Sequence, residues 1–419
     1  MSKIQELIKE KCPNGVKFFR LSDIGYQYNG LSGKTKNDFE NGNCKYITYS
    51  NVYNNPSIKL DINDYVSVNE YEQQNEIKFK DILVTGSSEN LEDSGMISVV
   101  TEVPKEKIFL NSFCFGFRLN DEFYDKYNAN FLKHLFRDSN FRSKIISCSF
   151  GVTRYNLSKQ KFLKIQIPLP PIEVQEEIVR ILDKFGELEA ELEAELEARK
   201  QQYEFWIDKI FNNSGNLKPI KEILLPKGYI RGPFGSALVK ADMVQDGIPV
   251  YEQQHAIYNH RNFRYYITTE KAEKLKRFSV KVNDLIISCS GTVGKVSIIG
   301  LKDPIGIINQ ALLILRINED LILPQYLKYY LESKKGKASI TTNTNKSAQI
   351  NISNRESIER IEIPVPSLEE QQRIVNILDK FDKLVNDISE GLPAEIELRR
   401  KQYEYYRNQL LSFKELKNG

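Results

Sequence analysis

One stretch of this sequence occurs twice. Ile167-Pro168-Leu169-Pro170-Pro171-Ile172-Glu173-Val174-Gln175 runs on to Ile178-Val179-Arg180-Ile181-Leu182-Asp183-Lys184-Phe185. It returns as Ile363-Pro364-Val365-Pro366-Ser367-Leu368-Glu369-Glu370-Gln371, running on to Ile374-Val375-Asn376-Ile377-Leu378-Asp379-Lys380-Phe381. At an offset of 196, 12 of these 19 aligned positions are identical. A second echo lies further on, at an offset of 200: Ala194-Glu195-Leu196-Glu197-Ala198-Arg199 and Gln202-Tyr203-Glu204 match Ala394-Glu395-Ile396-Glu397-Leu398-Arg399 and Gln402-Tyr403-Glu404. Upstream the echoes thin out but keep their order. Lys80-Asp81-Ile82-Leu83 parallels Asn283-Asp284-Leu285-Ile286, and Arg118-Leu119-Asn120 parallels Arg316-Ile317-Asn318. Phe131-Leu132-Lys133 parallels Tyr326-Leu327-Lys328, and Asn156-Leu157-Ser158 parallels Asn351-Ile352-Ser353. Internal repetition of this kind means one structural unit used twice.

The better matched part of each copy reads as a helix. Each Pro-x-Pro fixes an extended lead-in, because proline locks φ and pushes its predecessor out of the α region. Ser367 can cap the second helix, with Glu370 completing a capping box. Ile178, Ile181, Leu182, Phe185, Leu188 and Leu192 form an apolar stripe at 3-4 spacing, as do Ile374, Ile377, Leu378, Phe381, Leu384 and Ile388. If unbroken from Glu173 to Phe211, the first helix has 39 residues and is about 58 Å long. A helix of that length outruns a small domain, so the stripe through Ile178, Ile181, Leu182 and Phe185 is expected to bury against the stripe through Ile374, Ile377, Leu378 and Phe381. Gly391-Leu392-Pro393 should interrupt the second helix, with a restart near Ala394. Glu187 to Ala198 reads Glu-Leu-Glu-Ala three times. Leucine and alanine are expected on a seam and glutamate in water. The acidity of that face suits a spacer or protein-binding surface, not one that meets phosphate.

The stretches between read as mixed α/β domains. Ile82-Leu83-Val84-Thr85, Met96-Ile97-Ser98-Val99-Val100, Leu285-Ile286-Ile287 and Ala311-Leu312-Leu313-Ile314-Leu315 have the length and branching of strands. Helices are expected over Asn130–Asp138 and Pro324–Ser333. The resulting plan is an N-terminal segment at 1–14, globular domains at 15–165 and 215–362, and long helices at 166–214 and 363–419. The two globular domains are thus separated by two long antiparallel helices forming a coiled-coil spacer, with an internal pseudo-twofold repeat.

A chain of 419 residues with 41% hydrophobic content can bury several cores. Charged residues make up 27% and mean hydropathy is -0.44. No apolar run approaches the roughly 18 to 20 residues that span a bilayer, and Met1-Ser2-Lys3-Ile4-Gln5-Glu6 mixes charges, so a cytoplasmic protein is expected. Cys12, Cys44, Cys114, Cys148 and Cys289 are dispersed, which fits buried thiols better than disulfides or a zinc knuckle. A net charge of +3 leaves any nucleic-acid footprint to local clustering.

Catalytic chemistry is hard to find. Ser290-Gly291-Thr292-Val293-Gly294-Lys295 approximates a phosphate loop, but Cys289 and Val296 occupy positions that the pattern reserves for Gly and for Ser or Thr. A tight turn with Lys295 open to a phosphate is the better reading. His134, His255 and His260 are the only histidines, which leaves little general-base or metal-ligand capacity. Binding chemistry is easier to find, because polar and aromatic residues mix along the globular stretches. Candidates for DNA contact are Lys45, Tyr46, Ser87 and Arg154 in the first domain. In the second they are Tyr251, Gln253, His255, Thr292, Lys295, Asn343 and Lys346. Asn and Gln can pair with adenine, and Arg and Lys with guanine or phosphate. The residues alone leave open a coiled-coil protein with no DNA role and an enzyme with a site dispersed in sequence.

The repeated pattern Ile-Pro-x-Pro, apolar, Glu-x-Gln, x-x-Ile-Val-x-Ile-Leu-Asp, over Ile167–Asp183 and Ile363–Asp379, resembles the specificity subunits of type I restriction-modification systems. Leu225-Pro226-Lys227-Gly228-Tyr229, Asn309-Gln310, Tyr326-Leu327-Lys328-Tyr329-Tyr330 and Asn351-Ile352-Ser353 belong to the same likeness, which covers essentially the whole chain. Cys12-Pro13-Asn14-Gly15-Val16 departs from the Leu-Pro-x-Gly-Trp that such domains often carry. The resemblance implies a non-catalytic subunit whose two target recognition domains read an asymmetric, bipartite sequence in double-stranded DNA. It implies two methyltransferase subunits docked on the helices and restriction/translocase subunits joined to that core. S-adenosylmethionine, ATP and Mg2+ would be cofactors of those partners, with none held by this chain.

Overall fold

The computed structural model describes residues 2–212, 216–341, 354–387 and 389–416. The chain divides into two compact units, one made of Met1–Glu191 with Ile396–Gly419 and one of Leu192–Glu395. This division crosses the five segments expected from sequence. Each unit takes the first part of one long helix and the last part of the other.

In the first unit an antiparallel sheet runs in the order Gly25–Asn29, Cys114–Leu119, Ile82–Thr85, Ile97–Val99. Its inner strands are buried along nearly their whole length, which explains continuous apolar runs rather than alternation. A smaller sheet joins Tyr65–Val66, Cys44–Ile47 and Ile108–Leu110, the last pair parallel. The second unit repeats this with Leu224–Arg231, Leu312–Ile317, Leu285–Ser288 and Val296–Ile298. Its smaller sheet joins Tyr266–Ile267, Ile248–Tyr251 and Ile307–Ile308, again with one parallel pair. The expected helices form at Ala129–Leu135 and Pro324–Glu332.

Two faint sequence echoes turn out to be one interaction. Arg118 donates from Nε and Nη2 to the Asp81 carboxylate at 2.8 and 2.7 Å, and Arg316 meets Asp284 at the same two distances. Both aspartates are 1% exposed. A bidentate guanidinium satisfies such a carboxylate in a way that a lysine could not.

The first long helix is continuous over Ile172–Asn212. The second is split into Leu368–Asn386 and Leu392–Leu410. It restarts at Leu392, so Pro393 sits in a first turn, where its missing N–H matters least. At Gly391 a Cβ would come within 2.5 Å of the Lys383 carbonyl oxygen, so the break needs glycine. Ser367 accepts from the Glu370 backbone N–H, but the Glu370 carboxylate takes Arg373 instead of closing a capping box.

The expected stripe-on-stripe packing is replaced by a different one. Ile178 and Leu182 lie in the first unit's core together with Leu410 and Leu411. Ile374 and Leu378 lie in the second unit's core together with Ile207 and Phe211. Ile181 and Ile377 are half-buried beside them. Phe185 meets Tyr403 and Tyr406 at 6.5 and 5.3 Å, and Phe381 meets Tyr203 at 6.3 Å. Glu189 binds Arg400 at 2.8 Å. Contacts that climb one helix descend the other, so within the first unit the helices run antiparallel. The start of one helix therefore meets the end of its partner, and the repeat supplies start and end at two different offsets. In the Glu-Leu-Glu-Ala run the leucines are half-buried, while Ala190, Ala194 and Ala198 are exposed. Alanine follows leucine by two residues, about 200° around a helix, and so cannot share its seam. The 1–14 segment is not separate either, since its helix, Ser2–Lys11, places Ile4 in the first unit's core.

Candidate nucleic-acid interface

Just past the end of the inner strand Ile82–Thr85, Ser87–Ser88 pairs with Tyr155–Leu157, which pairs in turn with Ser149–Phe150. The hairpin so formed turns tightly. Gly151 has φ +125°, and a Cβ there would lie 2.1 Å from the Arg154 carbonyl oxygen. Its tip is solvent-facing: Val152 is 86% exposed and Phe150 57%. Arg154, also exposed, donates from Nε and Nη2 to Ser87 Oγ at 3.2 and 3.0 Å. Its guanidinium lies 5.9 Å from the ring of exposed Phe113. Ser87, mostly buried, is steadied from behind by the Tyr49 hydroxyl, which donates to its carbonyl at 2.8 Å. The cluster thus holds a partly engaged guanidinium beside exposed apolar and aromatic groups. That combination can meet base edges or phosphate.

The second unit builds the same place from other residues. Gln253 stands where the first unit has Tyr49, and its amide exchanges hydrogen bonds with Ser290. The loop Ser290–Lys295 is folded around Ser288, whose hydroxyl donates to the Thr292 carbonyl at 2.6 Å and accepts from the Lys295 N–H at 3.0 Å. It is the tight turn read from sequence, with Thr292 and Lys295 exposed. Exposed Phe234 lies 5.6 Å from the Arg231 guanidinium.

Several candidate residues do other work. Tyr251 is fully buried, with its hydroxyl on the Pro304 carbonyl. His255 is fully buried as well. Its ring nitrogens are engaged by the Glu252 backbone N–H and the Asn262 carbonyl, and its ring stacks on Phe263 at 4.6 Å. Burial lowers its pKa. Neither side chain can reach a groove. Lys45 is paired with Glu106 at 2.8 Å, and Tyr46 packs edge-on against Phe39 at 5.0 Å. Lys45, Tyr46 and Tyr251 belong to the short strands Cys44–Ile47 and Ile248–Tyr251, and His255 to the helix Gln253–Tyr258 that follows the second of these. Gln253 is half-buried and committed to Ser290. Asn343 and Lys346 fall outside the described residues. Arg154, Thr292 and Lys295 therefore remain exposed at the ends of the two sheets, with Ser87 as the brace for Arg154.

The repeated Glu-x-Gln is visible in the sequence, but the work of its glutamine appears only in the fold. Gln175 Oε1 accepts from the Asn128 N–H at 2.9 Å, and its Nε2 donates to the Lys126 and Pro170 carbonyls. Gln371 does the same with Leu323, Leu321 and Pro366. Both glutamines are 0% exposed. Each clamps the start of a long helix to the loop that precedes a domain helix, and so orients the sheet end against its support. Among the described residues no group of three or more His, Cys, Asp or Glu could hold a metal, and no helix is long and apolar enough to cross a membrane.

The model of the type I restriction modification DNA specificity domain matches residues 13–198 and 205–398. The chain is 35% identical over 305 residues to the type I restriction enzyme specificity subunit S.HindORF215P of Haemophilus influenzae, spanning 69% of this chain and 73% of that one. It is 35% identical over 263 residues to the EcoR124I/EcoR124II specificity subunit of Escherichia coli, spanning 60% and 63%. Its fold matches a solved chain described for complex assembly and conformational transition of the type I R-M system, with TM-score 0.70, 16% identity and coverage of 95% and 98%. The HsdS subunit from Thermoanaerobacter tengcongensis matches with TM-score 0.53, 18% identity and coverage of 95% and 96%. With two copies of the specificity domain over nearly its whole length, the chain belongs to the type I restriction-modification specificity subunits, the non-catalytic, sequence-reading members of those systems.

Proposed function

We propose that the two units read the two halves of one asymmetric target in double-stranded DNA, each with the end of its sheet. The observation that supports this most directly is a common scaffold with unlike surfaces at the same place. Arg154, Phe113 and Phe150 stand at one sheet end, and Thr292, Lys295 and Phe234 at the other. Arginine can read guanine bidentately or hold phosphate, while an exposed lysine on a loop is a phosphate contact. The duplicated helices would carry two methyltransferase subunits, and restriction/translocase subunits would join that core. S-adenosylmethionine, ATP and Mg2+ would act in those partners, in the cytoplasm where the DNA is.

The test is an exchange of residues 216–362 for the equivalent stretch of a related subunit, followed by methylation mapping with the partner methyltransferase. One half-site should change and the other stay. A change in both half-sites would overturn the modular reading.

A further inference from the structure

A crevice of about 780 Å3 opens in the first unit between its domain helices and the paired long helices. Lys133, Arg137, Arg142 and Arg407 line it, with Asp183 and Glu187 as the carboxylates on its wall. Those two carboxylates are already engaged, Asp183 with Lys133 and His134 at 2.8 Å each and Glu187 with Lys184 at 3.1 Å. The three guanidinium groups have no carboxylate partner of this kind among the described residues. Arg137 donates to the Ile97 and Tyr53 carbonyls, and Arg142 to those of Gly95, Glu92 and Ser94. Carbonyls orient Arg137 and Arg142, while Asp93 acts on Arg142 and Asp138 on Arg407 through space without forming an ion pair, so the cluster keeps an excess of positive charge. Arg407 lies 5.3 Å from the Tyr403 ring, and its Nε is buried without an acceptor. A buried donor left unpaired is unfavourable. Burial, aided by repulsion from Arg142 and Arg407, pushes the Arg137 pKa down to about 10. Met96, Leu182 and Tyr403 give the crevice apolar and aromatic walls.

The second unit shows that this charge is not a requirement of the fold. At the position equivalent to Arg137 it has Glu332, at that of Gly186 it has Asp382, and at that of Arg407 it has Ile207. The same scaffold tolerates the opposite sign.

We propose that the first unit's crevice binds a small organic phosphate, with the guanidinium groups on the phosphate and Tyr403, Met96 and Leu182 against an apolar or aromatic body. Guanidinium groups match phosphate geometry and are weakly hydrated, so they suit a half-buried anion site. The volume falls within the 300 to 1,000 Å3, roughly, of small-molecule sites, and exceeds what a bare phosphate fills. The ligand would bridge Arg137 and Arg142 of the recognition domain to Arg407 of the last helix, fastening domain to support.

The test uses the full chain with two probes, inorganic phosphate and adenosine 5′-monophosphate, in calorimetric titration at constant ionic strength. The monophosphate should bind, and more tightly than phosphate, because only it has a body for the apolar walls. Arg407→Ile, which takes the residue of the equivalent position, should weaken it tenfold or more, whereas Glu332→Gln in the second unit should leave it unchanged. Independently of any variant, the bound monophosphate should protect Arg407 from phenylglyoxal. The proposal is overturned by either of two results. One is no binding at millimolar probe; the other is equal binding by Arg407→Ile. In the first case, loss of DNA affinity by Arg407→Ile would give these charges to DNA.

Discussion

Arg137 in the first unit and Glu332 in the second are equivalent positions at the end of the same domain helix. Arg137 lies two residues past Ala129–Leu135, and Glu332 is the last residue of Pro324–Glu332. Around Arg137 there are two further arginines. Around Glu332, which burial pushes toward its neutral form, there are Lys328 and Asp382. Tyr49 and Gln253 make a similar pair, one a phenol and one an amide, both donating to the backbone two residues past an inner strand's end. The Asp–Arg pair and the clamping glutamine, by contrast, are the same in both units. Two kinds of position separate in this way. Residues that lock strand to strand or long helix to loop are kept in kind and geometry, while residues that face a cavity or solvent differ even in sign.

The hardest challenge to this division is to attack what the units share. Removing one partner of a buried bidentate pair leaves a stranded charge, an effect of about 3 to 5 kcal/mol. We expect Arg316→Ala to destabilise the second unit by that amount and Arg118→Ala to harm the first less. Asp81 also accepts from the Tyr28 hydroxyl at 2.6 Å and the Lys78 N–H, whereas Asp284 keeps only the Lys281 N–H among its described hydrogen bonds. Denaturant melts of both variants measure this. Equal losses would mean that the tyrosine gives no support.

A smaller effect is expected at the helix seam. Phe185 and Phe381 are half-buried, so truncation to alanine should fall below the roughly 3 to 5 kcal/mol of a fully buried ring, at about 1 to 2 kcal/mol. Hydrogen exchange should speed up only in the unit that holds the ring. Faster exchange in both units would restore the stripe-on-stripe packing that sequence suggests.

At the sheet ends the contrast concerns recognition. Arg154→Ala should weaken DNA binding by about 1 to 3 kcal/mol if the arginine reads a base, and relax one half-site in the methylation map. Lys295→Ala should weaken binding less, flatten its salt dependence and leave both half-sites intact. Relaxed sequence preference in the lysine variant would reverse these roles. Deleting Glu191 to Ala194 shortens a straight helix by about 6 Å and rotates the rest of that helix by only about 40°. At about 3.4 Å per base pair, the gap between half-sites should shrink by one or two base pairs without loss of folding. An unchanged gap would reassign the run to partner docking alone.

The smallest expected effect is the pH response of one buried histidine, His134. His134 contacts Asp183 through Nε2 at 2.8 Å and the Tyr403 hydroxyl through Nδ1 at 3.1 Å. Burial lowers the histidine's pKa despite the carboxylate. Burial raises that of Asp183, but its bonds with His134 and Lys133 outweigh this and hold it at about 2. A histidine whose pKa is depressed by folding stabilises the fold above its unfolded value, near 6.5, and that contribution fades as pH falls through the window below it. Asp183 stays charged throughout. The second unit has Tyr329 in this place, donating to Asp379 at 2.6 Å, and its own buried histidine, His255, whose pKa burial also lowers, lies elsewhere in that unit. Between pH 7 and 5 the first unit should soften, and His134→Phe should reduce that softening and so change the difference between the units. A difference unmoved by that variant would locate the response elsewhere.

How much of the molecule is legible in its sequence depends on range. Strands such as Ile82–Thr85 and Leu285–Ser288, the long helix and the break at Gly391 arise from local pattern, which is why they can be read. Asp81 and Arg118 are each visible as echoes, but only folding makes them a pair. The partner of Phe185 escapes a pattern reading because an antiparallel arrangement sets the start of one repeat against the end of another. Among the DNA candidates, Tyr251 and His255 have the composition of a binding surface, and nothing in their spacing reveals that they point inward. Arg154 can be named, whereas its brace on Ser87 spans a separation that no local signal crosses.

The path of the chain bears on how the protein is made. Val16 bridges to Glu415, and the Leu416 N–H donates to the Val16 carbonyl at 2.8 Å. Residues 396–416 thus complete a unit whose other residues were synthesised before the whole of the second unit. On the ribosome the second unit has every residue it needs by Glu395 and can close first, while the first must wait with Ile178, Leu182 and Phe185 uncovered by the last helix. An unfinished chain should therefore be sticky at one unit and finished at the other. Translation stopped between the units' last residues would yield a molecule with the second unit closed and the first unit's helix seam left open.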